Sequence, residues 1–142
     1  MIDYISLLEA NPSGVLATHN GEDVETRVHT FQVASDNKPY FVTSSDISVF
    51  GGFAYGQLLA NPNVSFCTYP ANFSPVLSLV GKVVFEDNIE LKARILTRIF
   101  HESAQLREMF KTPDNPVVKL FYIHVKKVKT FSFAEGAKTY TL

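Results

Sequence analysis

Arg27 is the residue of this chain whose type and position best fit ligand binding, because it is the one lysine or arginine within the predicted strands of the first half. A guanidinium presents a planar fork of N–H donors, which fits a phosphate or the oxygen atoms of a flat polar ring. A partly buried guanidinium also needs an anion or a polar ligand to offset the cost of burial. The alternative is an exposed arginine that pairs with Glu25 or Asp23.

Two further groups of polar residues could bind a ligand. His29 lies two positions after Arg27, so both side chains are expected on the same face of one strand. Thr43, Ser44 and Ser45 follow a predicted strand and precede a helical segment. Their hydroxyls and amides could hold a phosphate at the positive end of that helix, or they could cap the helix only.

The elements that must position these residues are mainly strands. The residue pattern predicts strands over 14–19, 24–34, 40–43, 64–69 and 76–85, and a β-rich run over 117–133 that is long enough for two strands around a bend. Asn20-Gly21 predicts a tight hairpin turn, and Gly81 predicts a bulge or a barrel corner. The first half therefore reads as an antiparallel meander.

Helical periodicity is found over 2–10, where Asp3 suits the helix start, and from an acidic capping box at 87–90 to about residue 110. The segment 50–56 contains three glycines, which favour a loop or a close approach of the backbone over a helix. A glycine loop that cradles a phosphate is a second interpretation of this segment. An apolar antiparallel sheet hides its edges best by closing into a barrel, so we expect about six strands in a barrel that the helices cover.

Composition narrows the class of protein. A chain of 142 residues fits one domain over 1–142, and 46% hydrophobic residues indicate a substantial core or interface. A net charge of -1 gives no clustered positive field, so we expect no nucleic-acid partner. Lys126, Lys127 and Lys129 are interpreted as a solvated face of a strand. No apolar run approaches the roughly 20 residues of a membrane helix, and we expect a cytoplasmic chain without a membrane partner.

Other kinds of site find no support in the sequence. The single cysteine, Cys67, cannot form an internal disulfide and is expected as a buried thiol. The four histidines lack the spacing of metal ligands, so we expect no metal site. No serine lies in a G-x-S-x-G pattern, and catalytic residues stay unassigned.

Several of these segments, taken in order, resemble a known family. They are Gly14-Val-Leu-Ala-Thr18, Arg27 on the next strand, Tyr40-Phe-Val-Thr43 on a third, and a helix that leads into Asn61-Pro-Asn-Val64. The order resembles the pyridoxamine 5'-phosphate oxidase-like split barrels that bind flavin mononucleotide (FMN), in particular the branch with nitroimidazole-resistance-type reductases. The resemblance implies a mainly β (α+β) fold, a six-stranded antiparallel split β-barrel with flanking helices. It also implies a homodimer with FMN at the subunit interface, which transfers electrons between NAD(P)H and a small molecule.

The resemblance further implies a set of cofactor-binding residues, namely Arg27, Val28, His29, Val42, Thr43, Ser44, Ser45, Ser48 and Gln57. The chain departs from the family at Asp46-Ile47-Ser48, where a lysine or arginine usually meets the phosphate. A phosphate here would rely on Arg27, on serine hydroxyls and on backbone donors. Two alternatives therefore stay open: a binding module that holds flavin, haem or another planar ligand without turnover, and a split barrel that has lost its cofactor.

Overall fold

The computed structural model describes residues 3–46 and 53–142. The helices of this part are α1 (Tyr4–Ala10), α2 (Phe53–Ala60), α3 (Ile89–Glu102) and α4 (Ala104–Phe110). Its strands are β1 (Ser13–Asn20), β2 (Asp23–Thr30), β3 (Gln32–Val33), β4 (Pro39–Ser44), β5 (Asn63–Thr68), β6 (Val76–Glu86), β7 (Val118–Ser132) and β8 (Gly136–Thr141). None of these helices is both long enough and apolar enough to cross a membrane.

The strands form one antiparallel sheet in the order β2-β1-β5-β6-β7-β4-β3, with β8 paired to β7. The two strands at the ends of this order, β2 and β3, are consecutive in the chain and separated only by Phe31. A sheet whose two ends are joined by one residue must curl, and the helices flank the curled sheet. The predicted split barrel with flanking helices is therefore confirmed.

The strand count differs from the predicted six, because eight strands lie in the described residues. The predicted strand over 24–34 is divided at Phe31, whose amide donates to the Pro12 carbonyl and whose side chain is buried in the core. Strand β8 was not predicted, since it is short, largely exposed and without apolar alternation.

The predicted antiparallel meander is wrong. β4 pairs with β7 and with the short β3, and β2 pairs with β1. The strand of Arg27 and the strand of Thr43 are thus not hydrogen-bonded neighbours. They form two walls with a gap between them, which an unbroken meander would have closed.

The hairpin between β1 and β2 turns one residue later than predicted. Asn20 pairs with Asp23, so the two-residue loop is Gly21-Glu22. Gly21 has φ of 64°, and positive φ at the first central residue is typical of a type II′ turn.

Gly81 marks a β-bulge, as predicted. Val80 pairs with Lys127 while Gly81 pairs with Val125, so Lys126 is the extra residue of β7. A Cβ atom at position 81 would overlap the His124 carbonyl oxygen. Because this bulge absorbs the bend, β7 stays one strand of 15 residues rather than the two that its length allowed.

Asp3 caps α1 as expected, whereas the capping box predicted over 87–90 is wrong by one residue, because Asn88 and not Asp87 caps α3. Asp3 accepts a hydrogen bond from the Ser6 amide (3.2 Å) at α1, and Asn88 accepts one from the Leu91 amide (3.0 Å) at α3. The helix predicted to run to about residue 110 is divided at Ser103, whose hydroxyl accepts from the Leu106 amide and so begins α4.

The expected loop over 50–56 is wrong for its second half, because α2 begins at Phe53. Gly56 lies inside this helix, and a Cβ there would meet nothing within 4 Å. Burial of Gln57 and Leu58 on the next turn favours the helix more than the glycine disfavours it. Gly51 and Gly52 lie outside the described residues.

Aromatic rings fill the barrel interior. Phe41 stacks on Phe121 with ring centroids 5.2 Å apart, and Phe31 and Phe66 pack against Phe41. A second core lies between the outer side of β4 and β7 and the helices α3 and α4; it contains Tyr40, Ile95, Leu96, Ile99, Phe100, Phe110, Val118 and Leu120.

Two predictions about side chains on the strands have different outcomes. Lys126, Lys127 and Lys129 are exposed, which confirms the solvated face. The buried thiol is wrong: Cys67 is only half-buried, because the core-facing residues of β5 alternate with it.

Candidate functional site

Arg27 lies on the inner face of β2, in a hydrogen-bonded network with side chains of β1 and α2. Its Nη1 donates to the Thr18 hydroxyl (2.7 Å) and its Nη2 donates to Gln57 Oε1 (3.2 Å). The Thr18 hydroxyl itself donates to Gln57 Oε1 (2.7 Å), and Gln57 Nε2 donates to Glu25 (2.6 Å). Thr18 and Gln57 are buried. The guanidinium plane is therefore fixed by two buried partners.

The alternative of an exposed arginine that pairs with Glu25 or Asp23 describes this geometry only in part. The Arg27 side chain is 20% exposed, and its Nη2 lies 4.0 Å from Glu25 Oε1, the outer limit for an ion pair. Burial lowers the pKa of Arg27 and Glu25 opposes that shift, while the guanidinium stays charged at neutral pH. Within the described residues, two of its five N–H groups donate in the network. Arg27 also lines a cavity, so part of the guanidinium faces space that a ligand could fill.

His29 lies on the same face of β2, as the spacing predicted. Its ring packs edge-on against Phe41 and Phe121, with centroids 6.1 and 6.0 Å away. Burial, and after it the positive charge of Arg27, lowers the pKa of His29 to about 4. The imidazole is therefore neutral at pH 7 and offers one donor and one acceptor.

These side chains border a cavity of about 410 Å³ between β2, β4 and the junction of α3 with α4. It is lined by Arg27, Val28, His29, Thr30, Val42, Thr43, Ser103, Gln105 and Leu106. Sites for small molecules and cofactors commonly have volumes of about 300 to 1,000 Å³, with mostly apolar walls and a few polar groups. Five of the predicted site residues thus come together in one cavity: Arg27, Val28, His29, Val42 and Thr43.

The other predicted site residues lie elsewhere. Ser44 is buried and accepts a hydrogen bond from the Asp46 amide (3.0 Å), and the exposed Ser45 hydroxyl donates to the Val117 carbonyl (3.3 Å). Neither serine lines the cavity. Gln57 also lies outside it and holds Arg27 instead. Ser48 and Ile47 lie outside the described residues.

Sequence reasoning missed Thr18 and the wall formed by Ser103, Gln105 and Leu106, and it named Glu25 only as a surface partner of Arg27. The hairpin register contained a signal for Thr18: Leu16 pairs with Arg27, so Thr18 is the diagonal neighbour of Arg27 on the same face. The α3–α4 wall had no comparable signal, because it depends on the break at Ser103. Within residues 3–46 and 53–142, no three His, Cys, Asp or Glu side chains come close enough to hold a metal ion.

Comparison with known proteins shows the fold. No family model matches the chain, and no curated protein matches it by sequence. Among solved structures, a NimC/NimA family protein from Clostridium acetobutylicum superposes with a TM-score of 0.77 at 20% identity, covering 98% of this chain and 90% of the other. The chain has the fold of the pyridoxamine 5'-phosphate oxidase-like split barrels.

Two other solved structures of this fold are ligand-binding proteins. A pyridoxamine 5'-phosphate oxidase-related, FMN-binding protein from Nostoc punctiforme has a TM-score of 0.67 at 16% identity and covers 96% of this chain and 86% of the other. A haem-binding protein from Mycobacterium smegmatis has a TM-score of 0.72 at 17% identity and covers 96% of this chain and 55% of the other.

The lowered pKa of His29 predicts that this split barrel loses stability in mild acid. The unfolded chain takes up the imidazole proton near pH 6.5, whereas the folded chain resists it until about pH 4. The contribution of His29 is therefore fully present above pH 6.5 and declines as the pH falls to 4, by roughly 3 kcal/mol in total. Urea unfolding at a series of pH values should show this decline and a flatter profile for His29→Gln. His124→Gln, at an exposed position of β7, should keep the wild-type profile; an equally steep profile in His29→Gln would contradict the assignment.

Proposed function

We propose that this split barrel binds FMN with the ring in the cavity beside Arg27 and transfers electrons between a reduced nicotinamide and a small molecule. The observation that supports it most is the guanidinium of Arg27, which Thr18 and Gln57 hold in place and which lines the cavity. A flavin ring has a polar edge of oxygen and nitrogen acceptors, which such donors fit. The FMN-binding protein of the same fold supports the choice of ligand.

The residues of the cavity fit the ring end of this cofactor. Val28, Val42 and Leu106 give apolar walls to a flat ring, and Thr43 adds a hydroxyl. Hydride and electron transfer belong to FMN itself when it is bound, so the chain needs to bind and orient the ring and to exclude water. A fixed cation at the polar edge favours those forms of the ring that carry negative charge.

The phosphate end has fewer groups in the described residues. The Ser44 hydroxyl is buried and accepts from the Asp46 amide, while the Ser45 hydroxyl already donates to a carbonyl. We therefore expect Ser48 and backbone amides near the start of α2 to contact the phosphate. Loss of a hydrogen bond to a charged group would weaken binding by about 1.5 to 3 kcal/mol.

The visible absorption spectrum of purified protein tests the proposal. We expect a yellow preparation with flavin bands, or a colourless one that regains them on incubation with FMN. Arg27→Ala should not regain them under the same conditions. A colourless wild-type protein that cannot be reconstituted would contradict flavin binding and favour a split barrel that has lost its cofactor.

Haem is the second candidate, and His29 is the observation that favours it. An imidazole that is neutral at pH 7 and lines a cavity can ligate haem iron, and a haem-binding protein shares the fold. A Soret band in place of flavin bands, lost in His29→Gln, would select this candidate.

We also propose a homodimer, which an uncharged and partly exposed face of the sheet supports. Cross-strand partners share a face, and two rows of such partners cross β2, β1, β5 and β6 on the side away from the core. The rows are Val28, Val15, Cys67 and Ser78, and Thr26, Ala17, Ser65 and Val80. Every one of these side chains is uncharged, and Val28 also lines the cavity. A second copy on this face would therefore lie next to the ligand.

Light scattering tests the dimer. We expect twice the chain mass at micromolar concentration, and a monomer for Val28→Asp, because a carboxylate would be buried without a partner in the interface. Val28 is 74% exposed in the single chain, so this change should leave its fold intact. Ile89→Asp, at a position that is 70% exposed at the start of α3, is the matched control and should stay dimeric. A monomeric wild-type chain would remove the interface.

A further inference from the structure

A second cavity adjoins the one beside Arg27. It has a volume of about 310 Å³ and shares Thr30, Ser103 and Leu106 with the first cavity. The two cavities therefore lie on either side of one wall of residues, where the chain passes from β2 to β3 beneath the α3–α4 junction. None of the site residues that were predicted from the sequence lines the second cavity.

The second cavity combines an apolar floor with hydrogen-bond acceptors. Phe31 and Ile99 are buried and form part of the floor. Gln32 Nε2 donates to Glu102 Oε2 (2.8 Å), which fixes the amide against the carboxylate. This bond leaves the Gln32 carbonyl oxygen and the second oxygen of Glu102 to accept hydrogen bonds. These two acceptors favour a ligand that donates hydrogen bonds.

The carboxylate of Glu102 has no cationic neighbour within ion-pair distance among residues 3–46 and 53–142, where the ion pairs are Arg27–Glu25 and Lys138–Glu135. Arg98 lies one turn earlier on α3 and could have paired with it. The Arg98 guanidinium instead donates to the Val33 carbonyl (3.2 Å). The negative charge at this cavity is thus left to solvent or to a ligand.

We propose that the second cavity binds the cationic head of a small molecule with a flat apolar body, an amidinium or a primary ammonium, through Glu102 and Gln32. The apolar body lies on Phe31 and Ile99, and the head donates to the carboxylate and to the amide oxygen. Beside a bound flavin, this cavity would hold an amine-bearing substrate, a role that rests on the proposed function; binding of the cation does not depend on it.

Benzamidine, with benzamide as its neutral isostere, tests the inference on protein free of flavin. In two-dimensional NMR titrations we expect saturable shifts of the Gln32 side-chain amide with benzamidine in the millimolar range, and affinity for benzamide weaker by about tenfold or more. Glu102→Gln, which keeps the side-chain volume, should weaken benzamidine by a similar factor. Glu108→Gln removes an exposed carboxylate of α4 outside both cavities and should leave the affinity unchanged.

Two further variants separate this inference from the proposed function. Arg27→Ala should keep benzamidine binding, and Glu102→Gln should keep FMN binding and the melting temperature. Equal benzamidine affinity in Glu102→Gln and wild type, shifts that map away from Gln32, or no saturation in the millimolar range would each overturn the second site. A protein that binds benzamidine at Gln32 but never FMN would support this site and contradict the proposed function.

Discussion

Arg27→Ala is expected to weaken FMN binding by about 100-fold or more while the fold persists, because hydrogen bonds from a charged donor are each worth about 1.5 to 3 kcal/mol. Titration of FMN fluorescence on the flavin-free protein measures the affinity. Arg27→Lys should recover part of it, since an ammonium keeps the charge but not the planar fork.

The same variant should lose only about 1 to 2 kcal/mol of stability. The Thr18 hydroxyl still donates to Gln57 Oε1 when the guanidinium is removed, so no buried polar group is left without a partner. Arg94→Ala, on the exposed side of α3, is the matched control and should change neither affinity nor melting temperature. Wild-type affinity in Arg27→Ala would show that the arginine serves the network alone.

Gly81→Ala is expected to destabilise the chain by roughly 3 kcal/mol or more, because the added methyl group overlaps the His124 carbonyl oxygen and both strands of the bulge must move. The obstacle is backbone of a paired strand, which cannot move aside as a flexible side chain does. Denaturant unfolding measures the loss.

Gly56→Ala is the matched control, with the same added methyl group and the opposite expected sign. Position 56 lies within α2, and a Cβ there meets nothing within 4 Å. The change should stabilise the chain by up to about 1 kcal/mol, the difference in helix propensity between the two residues. Equal effects at both positions would contradict the bulge as the reason for glycine at 81.

The sequence predicted those parts of the site whose residues lie close together on one strand or one hairpin. Arg27 and His29 were placed on one face because strands alternate with a period of two. The bulge at Gly81 followed from a glycine within an apolar row. These features depend on one strand or one hairpin, where local geometry decides the outcome.

The missed features depend on contacts between distant segments. Gln57 reaches Arg27 only because α2 packs against β1, and the helix forms despite Gly56. The break at Ser103 supplies the third wall of the cavity, yet a serine within a long amphipathic pattern is also common inside helices. The pairing of β4 with β7 rather than within a meander follows from closure of the whole barrel, which no local pattern encodes.

The link between β2 and β3 at Phe31 affects the order in which the parts of the cavity assemble during folding. The two ends of the sheet meet at Phe31, but β4 is held in place by β7, and the helical wall of the cavity also comes from the later part of the chain. Pairings between segments so distant in the chain form late and slowly during folding. During synthesis, a chain that ends before β7 already contains every lining residue of the cavity, but it lacks the strand that pairs with β4. We therefore expect the cavity to form, and to take up a ligand, only after β7 has been made.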